Sequence, residues 1–172
     1  CAKHQIKRDC GLVAIGGGTI CDVMGFVSAT YMRGLIMVSV PTTMMSSSDP
    51  IVCKVGVNYL MHKNLVGSWF TPAITIIDTD FLRKDSPRHI ATGIAEIIKA
   101  AFIDSREKVF ELSNEMGALL SLDMVALEKY IGLSLDVKIR SVKGDEKDLL
   151  GPHAKLSLGH TLADVIETVS PF

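Results

Sequence analysis

Apolar positions fall into two kinds of pattern along this chain. Leu12-Val13-Ala14-Ile15 is a short continuous apolar run, with the length and branching of a buried strand. Gly16-Gly17-Gly18 interrupts it, and residues 19–31 (TICDVMGFVSATY) then carry apolar residues near helical spacing, with Gly34 as a stop. Residues 35–40 (LIMVSV) predict a second buried strand closed by Pro41, and residues 73–78 (AITIID) a third. Residues 44–58 hold no sustained period and predict an irregular loop or short helix. From about residue 80 the pattern changes. Ile90, Ile94, Ile97, Ile98, Ala101 and Phe102 make one face of a helix over 87–103 that opens at Pro87. Residues 105–120, 124–143 and 159–169 also predict helices. Residues 1–80 are thus expected to form an α/β part and residues 81–172 an all-helical part. No internal repeat or low-complexity tract appears, though Ser46-Ser47-Ser48 is a local polar patch.

With 172 residues, 48% hydrophobic and 22% charged, the chain can bury a core and is not of the disordered class. Its net charge of −1, from 18 basic and 19 acidic side chains, gives no general nucleic-acid or membrane-surface binder. No apolar run reaches the ~20 residues of a membrane span. The cysteines, Cys1, Cys10, Cys21 and Cys53, form no C-x-x-C pair and read as reduced thiols of a cytosolic protein. Residues 1–10 hold neither a signal-peptide pattern nor an initiating Met, and the chain stops at Phe172 just after a helical segment. Both ends read as cut from a longer chain.

Five groups of residues carry chemistry. Gly16-Gly17-Gly18 between strand and helix is either a pyrophosphate cradle or a plain tight turn. Asp22, just inside that helix, also suits its N-terminal dipole. Pro41-Thr42-Thr43 sets two hydroxyls at the carboxyl end of a strand, where α/β folds bind ligands, or forms a simple hydroxyl turn. Asp49, Lys54, Asn58, Lys63, Asn64 and Gly67 make either a phosphate grip or a solvated loop. Glu96 and Lys99, three apart on one helix, are either a surface ion pair or a carboxylate metal ligand with a lysine beside it. His160, after Gly159, is either a structural histidine or a zinc ligand, and one Glu with one His leaves a catalytic zinc short of its usual three protein ligands.

Each group alone has a bland alternative, but their order is specific. IGGGTICDVMGF, TYMRG, VPTT, KVGVN, KNLVG, IDTDFL, GIAEIIK, DEKD and SLGHT occur collinearly over nearly the whole chain. Together they resemble the 3-dehydroquinate synthase family of sugar-phosphate cyclases. The resemblance implies a Rossmann-like NAD-binding α/β domain (1–80) followed by a helical metal and substrate domain (81–172). It implies an active site in the cleft between them, both parts incomplete at the chain's ends. It also implies a cytoplasmic homodimer with no nucleic-acid or membrane partner, acting on a phosphorylated sugar. The implied reaction is transient oxidation of a ring carbinol, β-elimination of phosphate, reduction and intramolecular aldol closure. The implied cofactors are NAD and Zn²⁺ or Co²⁺.

By the same resemblance, Gly16, Gly17, Gly18, Asp22, Thr42 and Thr43 would contact NAD. Asp49, Lys54, Lys99 and Lys138 would be catalytic, and Lys63 and Asn64 would hold substrate. Arg33 would reach the phosphate site of a neighbouring subunit. Glu96 and His160 would bind the metal, with a third ligand expected beyond Phe172. The chain departs from the family pattern at several places. The Asp49–Lys54 segment is shorter by a residue, and Val52-Cys53 stands where a glycine pair is usual. His153 replaces an arginine that binds a substrate carboxylate, and Ser157 replaces an asparagine. Asp164 replaces a phosphate-binding histidine and would repel a dianion unless protonated or turned away. These departures suggest a substrate without the carboxylate, as for 2-deoxy-scyllo-inosose or 2-epi-5-epi-valiolone synthase, which start from glucose 6-phosphate or sedoheptulose 7-phosphate. A degenerate, non-catalytic NAD-binding protein is a further alternative. Alcohol dehydrogenase activity on the related fold fits less well with Lys54, Lys63 and Asn64, because simple alcohols carry no phosphate.

Overall fold

The computed structural model describes residues 1–60 and 62–169, without the side chains of Asp164, Glu167 and Thr168. The two predicted strand runs at the start pair with each other. β1 (Gly11–Gly16) lies parallel to β2 (Ile36–Pro41), with Val13 opposite Val38 and Ile15 opposite Val40. Parallel pairing requires a crossover element, here α1 (Gly18–Thr30). β5 (Ile74–Thr75) adds to the other side of β2, giving the order β1-β2-β5. Its ladder is shorter than the predicted 73–78 run, although Ala73 N–H still reaches Met37 O and Ile76 N–H reaches Ser39 O. One sheet face, with Ala14 and Met37, packs under α1 through Cys21, with Ile51 and Val55 beside them.

Residues 44–58 differ from expectation. α2 (Met44–Ser48) is a short helix, but Lys54–Tyr59 is a strand, β3, paired antiparallel with β4 (His62–Trp69). This hairpin escaped sequence reading because its second strand has no buried face: residues 62–67 are all exposed. An amphipathic period of 2 therefore never develops. The serine patch also turns inward, with Ser46, Ser47 and Ser48 all buried. Ser46 completes a capping box with Thr43, and Ser48 Oγ donates to Met44 O (2.8 Å) and to Gly93 O (3.1 Å).

The helices of the second half fall within a residue or so of their predicted limits. They are α3 (Pro87–Asp104), α4 (Arg106–Leu120), α5 (Met124–Val142) and α6 (His160–Val169). Ser86, Ser105 and Asp123 cap the first three, accepting from His89, Lys108 and Ala126 N–H respectively. Ile90, Ile94, Ile97 and Ala101 of α3 build the main core with Leu112, Leu119, Leu127 and Tyr130. Met44 belongs to that core, so α2 is the hinge piece between the sheet and the helices.

Candidate functional site

Two loops meet at the carboxyl edge of the sheet. β1 ends at Gly16, and Gly17 caps α1 without a side-chain bond. Thr42 N–H donates to Gly16 O at 2.9 Å, tying the second loop to the first. A Cβ on Gly17 would stand 3.0 Å from Thr43 Cγ2, so only glycine permits this approach without displacement. A Cβ on Gly18 would meet nothing within 4 Å. Open space therefore lies ahead of the α1 N-terminus, where backbone N–H groups lack helical partners. That cradle fits the pyrophosphate of a dinucleotide.

Beside it is a cavity of about 390 Å³ lined by Asp22, Asp49, Lys54, Asn64 and Lys138, with Pro50, Ile51, Val55 and Gly56. The five polar groups come from α1, the end of α2, β3, β4 and α5. Lys138 is the organiser. Its ammonium pairs with Asp49 Oδ1 at 2.5 Å and donates to Pro50 O, while its side chain is only 15% exposed. One turn earlier on α5, Ser134 Oγ donates to Ser48 O at 2.7 Å. Together these bonds clamp the end of α2 to α5. Asp22 is half-buried, and desolvation pushes its carboxyl above the usual range; Lys138 opposes the shift and Asp49 adds to it. Burial also raises the Cys21 thiol, which donates to Gly16 O and accepts from Ser39 Oγ, both at 3.6 Å. Cys21 thus braces the glycine loop from inside, a position the sequence reading did not single out.

Other predicted residues lie outside the cavity lining. Lys63 is exposed on β4, one residue before Asn64, whose backbone is held at φ 53° with its N–H on Asn58 Oδ1. Arg33 is exposed on the turn after α1. Glu96 and Lys99 form an ion pair on α3, both largely buried. His160 opens α6 and is exposed, with Ser157 exposed before it. Among the described residues no group of three or more His, Cys, Asp or Glu could hold a metal ion. Among the described residues Glu96 and His160 thus form an incomplete donor set for a catalytic zinc, which takes three protein ligands. His153 is 2% exposed; its Nε2–H donates to Asp145 O (3.0 Å) and its Nδ1 is 4.0 Å from Asp148 Oδ2. The Asp164 side chain lies outside the described residues.

A parallel sheet with a glycine loop and a threonine loop at its carboxyl edge, joined to a helical half, defines the class of two-part Rossmann-like α/β chains. Residues 1–92 match the model for the 3-dehydroquinate synthase N-terminal region, and residues 93–172 match that for its C-terminal region. The chain belongs to the 3-dehydroquinate synthase family. It is 39% identical over 167 residues to 3-dehydroquinate synthase of Pseudomonas aeruginosa, covering 96% of this chain and 45% of that protein. A solved 2-deoxy-scyllo-inosose synthase complexed with carbaglucose-6-phosphate, NAD⁺ and Co²⁺ superposes with a TM-score of 0.84 at 26% identity, covering 97% of this chain and 46% of that one. The 2-epi-5-epi-valiolone synthase of Streptomyces hygroscopicus, with NAD⁺ and Zn²⁺ bound, gives 0.83 at 26% identity, covering 96% and 47%. The chain therefore spans slightly less than half the length of these proteins.

Proposed function

We propose that this chain is the central part of an NAD-dependent, metal-dependent sugar-phosphate cyclase that eliminates phosphate and closes a carbocycle. The observation that carries this reading is the convergence of Asp22, Asp49, Lys54, Asn64 and Lys138 on one cavity beside the Gly16–Gly18 and Thr42–Thr43 loops. Bound NAD⁺ supplies a hydride acceptor and, after elimination, the donor that returns the hydride. The chain's own residues bind and orient. Gly16, Gly17 and Gly18 leave the α1 amides free for pyrophosphate, with Thr42 and Thr43 closing the cradle. Lys54 and Asn64 offer a cation and an amide to the substrate phosphate, with Lys63 next along β4. Lys138, fixed by Asp49 and Pro50, holds a positive charge where negative charge grows as phosphate departs. Lys99 serves as a second fixed cation, its charge balanced by Glu96. Zn²⁺ or Co²⁺ would take Glu96 and His160 and would need a further donor from outside the described residues.

The same reading gives Arg33 to a neighbouring subunit's phosphate site in a cytoplasmic homodimer, and divides the chain near residue 80. The buried state of His153 favours a second reading on substrate. At 2% exposed, with Nε2–H on Asp145 O and Nδ1 buried without a hydrogen-bond partner among the described residues, its ring is closed off from a substrate carboxylate, which supports a cyclitol-forming cyclase over one that makes dehydroquinate. Phosphate release by the full-length protein tests the site. Lys138→Met should lower kcat on the order of 10²-fold, by the loss of one preorganised charge at a developing anion. An unchanged kcat would remove the cavity from the chemistry.

A further inference from the structure

Outside that cavity, one carboxylate is bonded more fully than a helix cap requires. Asp85 precedes the cap residue of α3, and its side chain is 6% exposed. Its Oδ2 accepts Met44 N–H at 3.0 Å, across 41 positions of sequence. Its Oδ1 accepts Ser86 N–H at 3.0 Å and His89 Nδ1–H at 2.9 Å. Met44 N–H is the first amide of α2, one of the group that a helix leaves without internal partners. The Thr43 capping box serves Ser46 N–H and Thr43 N–H, so Met44 N–H depends on Asp85.

This link joins two parts with different tasks. Met44 directly follows Thr43, whose methyl group would stand 3.0 Å from a Cβ added at Gly17. Asp85 and His89 belong to the start of α3, the helix that carries Glu96 and Lys99. His89, 62% exposed, lines a small cavity of about 130 Å³ with Thr43, Met45 and Thr92. Its Nδ1–H therefore approaches Asp85 from the solvent side, while Met44 N–H approaches from the core side. A carboxylate so buried is tolerated because three donors replace its lost water.

We infer that Asp85 and His89 are positioning residues for the threonine loop of the dinucleotide cradle. Asp85 fixes the amide after Thr43, and His89 holds the Asp85 carboxylate in the rotamer that does so. The inference rests on the proposed NAD reading.

The test uses the full-length protein with NAD⁺ itself as probe, together with hydrogen exchange at residues 42–48. Asp85→Ala should speed Met44 amide exchange and raise the Kd for NAD⁺ about tenfold, the scale of one lost charge-assisted hydrogen bond. At saturating NAD⁺, kcat should change little. Asp85→Asn, which keeps one acceptor for Met44, should recover most of the affinity. His89→Ala, at an exposed position, should fold normally and weaken NAD⁺ binding by about two- to threefold, as loss of a partly solvated bond does; it keeps the inference testable if Asp85→Ala fails to fold. Unchanged NAD⁺ affinity in His89→Ala, or in Asp85→Ala where it folds, would overturn the positioning role while leaving the cradle intact. A lack of NAD⁺ binding by the unsubstituted protein would instead overturn the reading of the cradle.

Discussion

Asp22 stands at the point where the glycine loop, α1 and Lys138 meet, and its protonation reports that meeting. Its carboxyl titrates above the ordinary 3.8 in the folded chain, chiefly because burial disfavours the charged form. The folded state thus binds this proton more tightly than the unfolded state. Asp22 is stabilising, relative to its ionised form, below 3.8, and that advantage is lost as pH rises through the folded pKa. Asp22→Asn should therefore raise Tm at pH 7 and have almost no such effect near pH 3, while weakening NAD⁺ binding. A melting series across that range checks the sign; a gain confined to acid pH would contradict it. The glycine run, the threonine pair and Asp22 were legible as candidates because each sits at a strand or helix end that the local pattern marks, whereas Asp49 stood out only as part of a polar run in a stretch with no sustained period. Lys54 showed only as one member of that polar run, and Lys138 gained meaning only through resemblance, since its partners Asp49 and Pro50 are distant in sequence. Asp85 was invisible. Its main partner is a backbone amide in another element, and no side-chain pattern records that.

At the level of elements, the crossing of α2 and α3 decides how the two loops sit on the helical half. Gly93 makes it possible. A Cβ there would fall 2.4 Å from Met44 Cγ, 2.5 Å from Met44 C and 2.6 Å from Met45 N. Two of these are backbone atoms and cannot turn aside, so Gly93→Ala must push the helices apart. We expect a loss of about 3 kcal/mol, at the upper end for overpacking, measured by denaturant unfolding, with NAD⁺ affinity falling alongside. A substitution tolerated within about 0.5 kcal/mol would show that α2 moves freely on α3. Helix positions were readable because each of α3, α4 and α5 has a Ser or Asp cap and an apolar stripe. The hairpin was not, because residues 62–67 of β4 are all exposed and leave no period of 2 to read.

Across the whole molecule, one sheet face is packed by α1, and among the described residues the other is left largely exposed. Val13, Ile15, Ile36 and Ile74 are all 55–67% exposed on it. All-parallel sheets ordinarily carry helices on both faces. In the 172-residue chain, Ile15→Lys with Ile36→Lys should leave denaturant stability within about 0.5 kcal/mol and reduce self-association seen by sedimentation. A marked loss of stability would mean that the face is packed in the isolated chain. The α/β-then-helical order was readable from the change of period near residue 80, whereas the open face was not, because strand residues alternate between faces whether or not anything covers them.

The chemistry assigned to the cavity is tested most directly by phosphate release by the full-length protein, with NAD⁺ and either Zn²⁺ or Co²⁺. The substrates, in parallel, are 3-deoxy-arabino-heptulosonate 7-phosphate, sedoheptulose 7-phosphate and glucose 6-phosphate. NAD⁺-dependent release is expected from one of the three, with the buried His153 favouring the two that carry no carboxylate. Absence of release from all three, by protein that is folded and binds NAD⁺, would contradict that assignment.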